Sequence, residues 1–280
     1  RSNKMYDKAK EIIIKAKTNI FNTNLGNQLT SLKGDGLDFK EIKEYSYGDN
    51  IKNINWKATA KSNSLKVNVF DESRQLNIIV AFLINGSLEF GSVNMKQDIA
   101  TEIIALLGFS SIYNHDLLFP IFFSNKSEIF YEPTYDETIM YKLIQDALEI
   151  KCIKKEVNYK KFCDYVNTTM KQRSVIFVIG DFYGDVDLSQ IAYTNDVYAL
   201  IVRDRLEEYP LLNGEFELVN ATNLKSSEFN ITKDVAKKYK ELLDLQDKQL
   251  EEHFLKHRIT HGKIYTDDDI FLRLSQIIKG

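Results

Sequence analysis

LNIIVAFLI, residues 76–84, is an almost unbroken apolar run. A strand with one wet face alternates polar and apolar residues. A run like this suits a strand buried on both faces, the situation of a mainly parallel sheet. SVIFVIGDF (174–182) is a second clear buried strand, and DVYALIVRD (196–204) follows it. DLLFPIFFS (116–124) and SEIFYE (127–132) read as further strands in a hairpin around Asn125 and Lys126. Helical segments separate these runs. Residues 95–113 repeat apolar positions at Ile99, Ile103, Leu106 and Leu107, and 136–148, 159–172 and a short piece near 187–192 are also expected to be helical. The longest helix is expected over 232–257, with a closing strand at 263–265 and a closing helix over 268–278. Strands alternating with helices imply βαβ units, so the expected fold is α/β, a doubly wound, mainly parallel sheet of Rossmann type. In that architecture ligands bind beyond the carboxyl ends of the strands, which here means residues 83–88 and Asp181.

Composition sets the outer limits. With 280 residues, 44% hydrophobic and 28% charged, the chain can bury a sizeable core. The net charge of −3 comes from 37 basic and 40 acidic residues, mostly lysines spread among acids, which is no nucleic-acid footprint. Two cysteines, Cys152 and Cys163, offer neither a disulfide framework nor a CxxC motif and read as free thiols of a reducing compartment. No apolar run approaches the ~20 residues that span a bilayer. A soluble, cytoplasmic protein is the expectation.

Residues 1–74 read differently from the rest. A lysine-rich helical segment (4–17) with Ile12, Ile13 and Ile14 precedes a polar loop (22–33), and LKVNVFD (65–71) alternates like a strand. Between them lies GDGLDFKEIKEYSYGDNIKNINWKATAK (34–61), punctuated by Gly34, Gly36, Gly48 and Asp49, carrying Phe39, Tyr45 and Tyr47, and holding the single tryptophan, Trp56. Glycines at fixed places beside large aromatics describe a specifically shaped surface element, and no nucleophile, phosphate cradle or metal cluster stands in it. The domain division expected is 1–74 for the helix and this segment, packed on a main domain at 75–280. Residues 214–220, GEFELVN, alternate and are expected to extend an edge strand.

This segment resembles the hallmark of the bacterial "domain of unknown function 58" family, whose members carry a von Willebrand factor A-like domain. The family pattern runs Gly-x-Gly, an acid and Phe, Arg-x-Tyr, Gly-Asp, a second Arg, and Ile-Asp-Trp before a small pair and a base. It falls on Gly34, Gly36, Asp38, Phe39, Lys43, Tyr45, Gly48, Asp49, Lys52, Ile54, Asn55, Trp56, Thr59, Ala60 and Lys61, with both arginines replaced by lysine and the Asp before Trp by Asn55. The likeness continues through Glu72 and Arg74, Asp181-Phe182, residues 203–210, and Tyr265-Thr266-Asp267. It implies a metal-ion-dependent adhesion site built from Asp-x-Ser-x-Ser, a Thr and a second Asp around a hard cation with oxygen ligands. Here those positions fall on Leu83, Asn85, Ser87, a neighbour of Val157 or Asn158, and Asp181. A lone carboxylate is a poor magnesium site, so a degenerate site without a functional metal is expected, with no cofactor beyond weak Mg²⁺.

The resemblance also implies a partner, a MoxR-type AAA+ ATPase acting on client proteins. The expected function is therefore a non-enzymatic adaptor. Binding is expected to use either the strand-end surface around Asn85, Ser87 and Asp181 or the 34–61 segment, whose candidate partner-binding residues are Gly34, Gly36, Phe39, Lys43, Tyr45, Gly48, Asp49, Lys52 and Trp56. The alternative is a metal-dependent hydrolase or a cation-dependent ligand-binding domain using Asp181. Asp181 more simply caps a turn. Three histidines at spacing four, His253, His257 and His261, suggest zinc, but helical propensity fails after His257 and solvated helix-end histidines are the plainer reading. Thr266 reads as a helix N-cap followed by acids, and Cys163 as a core residue. Trp56 is open to either packing or docking.

Overall fold

The computed structural model describes residues 2–22, 39–49, 51–62, 64–70, 75–210, 214–219, 221 and 226–279. Gly34, Gly36, Asp38, Glu72 and Arg74 lie outside these residues. At the centre stands a six-stranded sheet of β3 (Asn77–Leu83), β4 (Leu117–Phe123), β5 (Ser127–Ile129), β6 (Val175–Gly180), β7 (Asp196–Arg203) and β10 (Thr260–Tyr265). Across the sheet the order is β10-β7-β6-β3-β4-β5. All pairings are parallel except β4 with β5, a hairpin through Asn125 and Lys126 that opposes Phe123 to Ser127. Counted within the sheet this is the order 3-2-1-4-5-6, which reverses direction between β3 and β6 and opens a crevice there.

The apolar run that decides the fold is divided between two cores by its pleat. Ile78, Val80 and Phe82 face one layer, and Ile79, Ala81 and Leu83 the other. The first layer holds α1 (Ser2–Asn22), α3 (Lys96–Tyr113), α4 (Ile139–Glu149) and α9 (Ile270–Lys279). Helix α3 is buried on all sides beneath α1, which adds Ala9, Ile12, Ile13, Ala16 and Ile20 to the same core. Where α3 meets α4 a Cβ at Gly108 would stand 2.4 Å from Met140 Cε, so a larger residue there would have to displace the end of the Met140 side chain. The second layer holds α5 (Tyr159–Thr169), α6 (Ser189–Ala192) and the end of the long α8 (Lys233–Lys256), anchored by Leu250 and Phe254. Both faces being covered explains why the strands do not alternate.

Two small ribbons stand outside this sheet. β1 (Phe39–Glu44) pairs antiparallel with β2 (Lys66–Phe70), and between them lie a 3-10 turn at Ile51–Asn53 and the one-turn α2 (Trp56–Thr59). Among the described residues β8 (Gly214–Val219) pairs with β9 (Ser226–Ile231) in a ribbon of its own, so the expectation that 214–220 extends an edge strand is corrected. Its alternation marks a strand but says nothing of which strand it joins. The strand expected over 127–132 ends at Ile129.

Phe82 is wholly buried at the centre of the sheet and meets Phe122 edge to face at 5.4 Å. Phe82→Ala is expected to cost about 3–5 kcal/mol of stability, read from the midpoint of urea unfolding at unchanged slope.

Candidate functional site

β3 and β6 end side by side at the crevice where the strand order reverses, and three of the sequence-predicted positions meet there. Asn85 Nδ2 donates to Asp181 Oδ1 at 2.6 Å, and Ser87 Oγ donates to Asp181 Oδ2 and lies 2.8 Å from Asn85 Oδ1. The Tyr183 amide also donates to Asp181, so this acid does close a turn. Phe182, between them, holds φ +54°, a left-handed conformation strained for an aromatic residue. Leu83 is buried in the core and contributes no ligand. Asn158 instead caps α5, its side chain accepting the Lys161 amide at 2.9 Å.

Sequence reasoning missed the charges that complete this crevice. Lys96, the first residue of α3, is fully buried, and its Nζ donates to Glu207 Oε1 at 2.6 Å and to Ser87 Oγ at 3.3 Å. A lysine in the first turn sits against the positive end of the helix dipole, a local conflict that signals a specific partner. Glu207 belongs to the capping box of α7 (Arg205–Glu208), opened by Asp204. Burial, outweighing the pull of Lys96, raises Glu207 above the usual carboxylate range. Arg203, at the end of β7, is equally buried. Its guanidinium lies 3.5 Å over the Tyr183 ring and donates to Asp247 Oδ1 on α8 at 3.2 Å, and Asp247 accepts Lys263 Nζ at 2.7 Å.

These contacts shut the crevice from above. Asp181, Lys96 and Arg203 have almost no solvent exposure, while Asn85 and Ser87 are half-buried. A Cβ on Gly86 would stand 2.6 Å from the Ala221 carbonyl oxygen, so Ala221 rests directly on the loop after β3. The donor set as it stands does not fit a divalent cation. It offers the Asp181 carboxylate, an amide and a hydroxyl, with the Lys96 ammonium aimed at the hydroxyl and occupying the second carboxylate, Glu207. Among the described residues no group of three or more His, Cys, Asp or Glu is placed to hold a metal.

The other candidates have plain settings. His253, in the last turn of α8, and His257, its C-cap, have rings 4.8 Å apart, but His261 lies on β10 against Phe254. His253 Nε2 accepts the Leu188 amide at 3.2 Å. Thr266 does not cap the closing helix: it is buried and donates to Asp204, while Asp269 accepts the Leu272 amide at 2.9 Å and opens α9. The switch follows from Asp204, which gathers Thr266, Ser92 and the Leu206 amide around one carboxylate. Cys152 and Cys163 are buried, and burial pushes both thiols up to about 12.

The segment expected to bind a partner folds into a compact unit. Lys43 Nζ reaches Asp49 Oδ1 at 2.7 Å and the Ser46 amide reaches Asp49 Oδ2 at 2.8 Å; together they hold this carboxyl below its usual range, Lys43 contributing most. Gly48 turns the chain at φ +104°. The Tyr45 amide bonds the Leu65 carbonyl at 2.8 Å. Asn55 accepts the Ala58 amide at 2.9 Å as the cap of α2 and donates Nδ2 to Asn68 at 2.8 Å, so the change from Asp to Asn keeps the cap and adds a donor. Phe39 opens β1 and Lys52 lies in the 3-10 turn. Trp56 is 68% exposed, which settles its setting in favour of the surface.

The fold and the crevice define a doubly wound α/β protein whose strand-end site is closed by its own side chains. The chain belongs to the family described as protein of unknown function DUF58, whose sequence profile matches residues 41–249. Among curated proteins none matches. Two similar solved structures are the conserved hypothetical protein BatB from Bacteroides thetaiotaomicron, at 12% identity over 73% of this chain and 97% of that one, and an aerotolerance-related membrane protein from Bacteroides fragilis NCTC 9343 carrying multiple mutations to serines, at 10% identity over 73% and 98%. Both give a TM-score of 0.43. No helix among the described residues is long and apolar enough to cross a membrane.

Burial and the neighbouring His257 depress the pKa of His253, which must stay neutral at Nε2 to accept the Leu188 amide; Asp187 opposes this and Lys256 reinforces it. A depressed folded pKa means the unfolded chain binds the proton more readily. The stabilisation is therefore present above the ordinary value of about 6.5 and is lost as pH falls through it toward the folded value. Urea unfolding at about pH 7 and pH 5 is expected to show lower stability at the acid end. His253→Gln, which keeps an acceptor but does not titrate, should flatten that difference.

Proposed function

We propose that the protein is a von Willebrand A-like, non-enzymatic adaptor that docks a MoxR-type AAA+ ATPase through the unit of residues 39–70, without a bridging divalent cation, and so helps that ATPase act on client proteins. The exposure of large apolar side chains on this unit carries the reading. Tyr47 is fully exposed, Ile51 69% and Trp56 68%, with Ile42 and Leu65 also exposed. Single exposed apolar residues are ordinary, but several on one small unit are a signature of an interaction surface. The supporting turn is organised by Asp49, Gly48 and Asn55, so the aromatics are presented by fixed backbone. A two-stranded ribbon is only marginally stable in water, and a partner covering it adds the missing burial. Trp and Tyr are the residue types that dominate binding energy at protein interfaces.

The same evidence weighs against catalysis at Asp181. Asp181 is 1% exposed and its oxygens already accept bonds from Asn85, Ser87 and the Tyr183 amide. Lys96, which stands near Ser87 as a base would, is an ammonium paired with Glu207. Neither group is free to meet a substrate.

The test is the affinity of the purified protein for a purified MoxR-type ATPase, measured by biolayer interferometry. Trp56→Ala is expected to weaken binding about 30-fold, the loss of about 2 kcal/mol typical of a buried aromatic anchor. Ser87→Ala, at the strand ends, should bind like wild type. Unchanged binding by Trp56→Ala together with lost binding by Ser87→Ala would move the docking surface to the strand ends.

A further inference from the structure

Among the described residues, Lys96 and Arg203 are the cationic side chains wholly shielded from solvent, and both lie at the carboxyl end of the sheet. An ammonium in such a place is costly unless it is fully paired. The pairing of Lys96 is unusual in its reach. Nζ bonds Glu207 from the segment after β7 and Ser87 from the loop after β3; Ser87 in turn bonds Asp181 at the end of β6. Asn85 closes the circuit from the loop after β3 to Asp181. The Tyr183 ring carries Lys96 Nζ at 5.6 Å and the Arg203 guanidinium at 3.5 Å from its centroid. One positive charge thus joins oxygen atoms from separate strand ends across the crevice.

Linking oxygen ligands from several loops is what a hard divalent ion does where it is bound. Here the ligand set is too poor for that ion, yet the loops are still drawn together. We propose that the Lys96 ammonium is a built-in cation that takes the place of a divalent ion in this crevice, and that its presence keeps such ions out. The proposal is independent of the docking surface described above. It concerns the isolated protein and predicts its response to metals. Truncating Lys96 would leave the carboxylates of Asp181 and Glu207 with the Ser87 hydroxyl and the Asn85 amide around a vacated space. That set of oxygen donors suits Mg²⁺ or Mn²⁺ far better than the native arrangement.

The experiment compares wild type, Lys96→Ala and Lys96→Ala/Asp181→Asn by thermal unfolding with EDTA or millimolar MnCl₂, alongside Mn²⁺ binding followed by electron paramagnetic resonance. The expected wild-type result is a Tm indifferent to Mn²⁺ and no binding that depends on Asp181. Lys96→Ala should melt about 5–10 °C lower in EDTA, because Glu207 and Asp181 lose their counter-charge. It should recover part of that loss in Mn²⁺, and the double variant should not recover. The proposal is overturned if Lys96→Ala melts like wild type, or if its loss is unmoved by Mn²⁺. It is also overturned if wild type, with Asp181→Asn as its control, binds Mn²⁺ at this site. That last arm needs only the native protein and Asp181→Asn, so it decides against the proposal even where Lys96→Ala does not fold.

Discussion

The contact on which the carboxyl end of the sheet depends is the buried ion pair between Lys96 and Glu207, with Ser87 and Asp181 beside it. Parallel strands end with loops that share no backbone ladder, and something must hold those loops in register. In this protein the ammonium does so for β3, β6 and β7. Arg203 extends the arrangement by reaching Asp247, which fastens α8 across the ends of β7 and β10 through Lys263. Removing one partner of such a buried pair costs far more than the pair is worth against a well-packed apolar alternative.

Closure has a consequence for recognition. A strand-end site that is to meet a partner must present open coordination positions or exposed donors, and this one presents neither Asp181 nor Lys96 to solvent. Exposed aromatic and apolar side chains stand on the unit between β1 and β2, where Tyr47, Ile51 and Trp56 sit on a turn fixed by Gly48, Asp49 and Asn55. The side chains that close the crevice are buried, and those of the ribbon unit are on the surface.

The sheet was legible because burial on both faces leaves an unmistakable trace. LNIIVAFLI and SVIFVIGDF need no alternation when Ile78, Val80 and Phe82 face one core and Ile79 and Ala81 the other. The meeting of Asn85, Ser87 and Asp181 followed from the positions that the family resemblance assigned. β1 was hidden because FKEIKE lacks a period of two, and the pairing of β8 with β9 was hidden because alternation marks a strand without naming its neighbour. Thr266 had the spacing of a cap, but Asp204, 62 positions away in sequence, claims its hydroxyl. Lys96 left only its conflict with the helix dipole, and the exposure of Trp56 left no trace at all, since a lone tryptophan reads the same inside and outside.

The proposal that a partner docks on the exposed ribbon unit and not on the closed crevice is tested most directly by hydrogen–deuterium exchange, measured on the protein alone and bound to a MoxR-type ATPase. The account predicts that added protection falls on residues 39–62 and leaves 85–91 and 181–184 unchanged. Protection appearing at 85–91 and 181–184, with 39–62 exchanging as in the free protein, would contradict it.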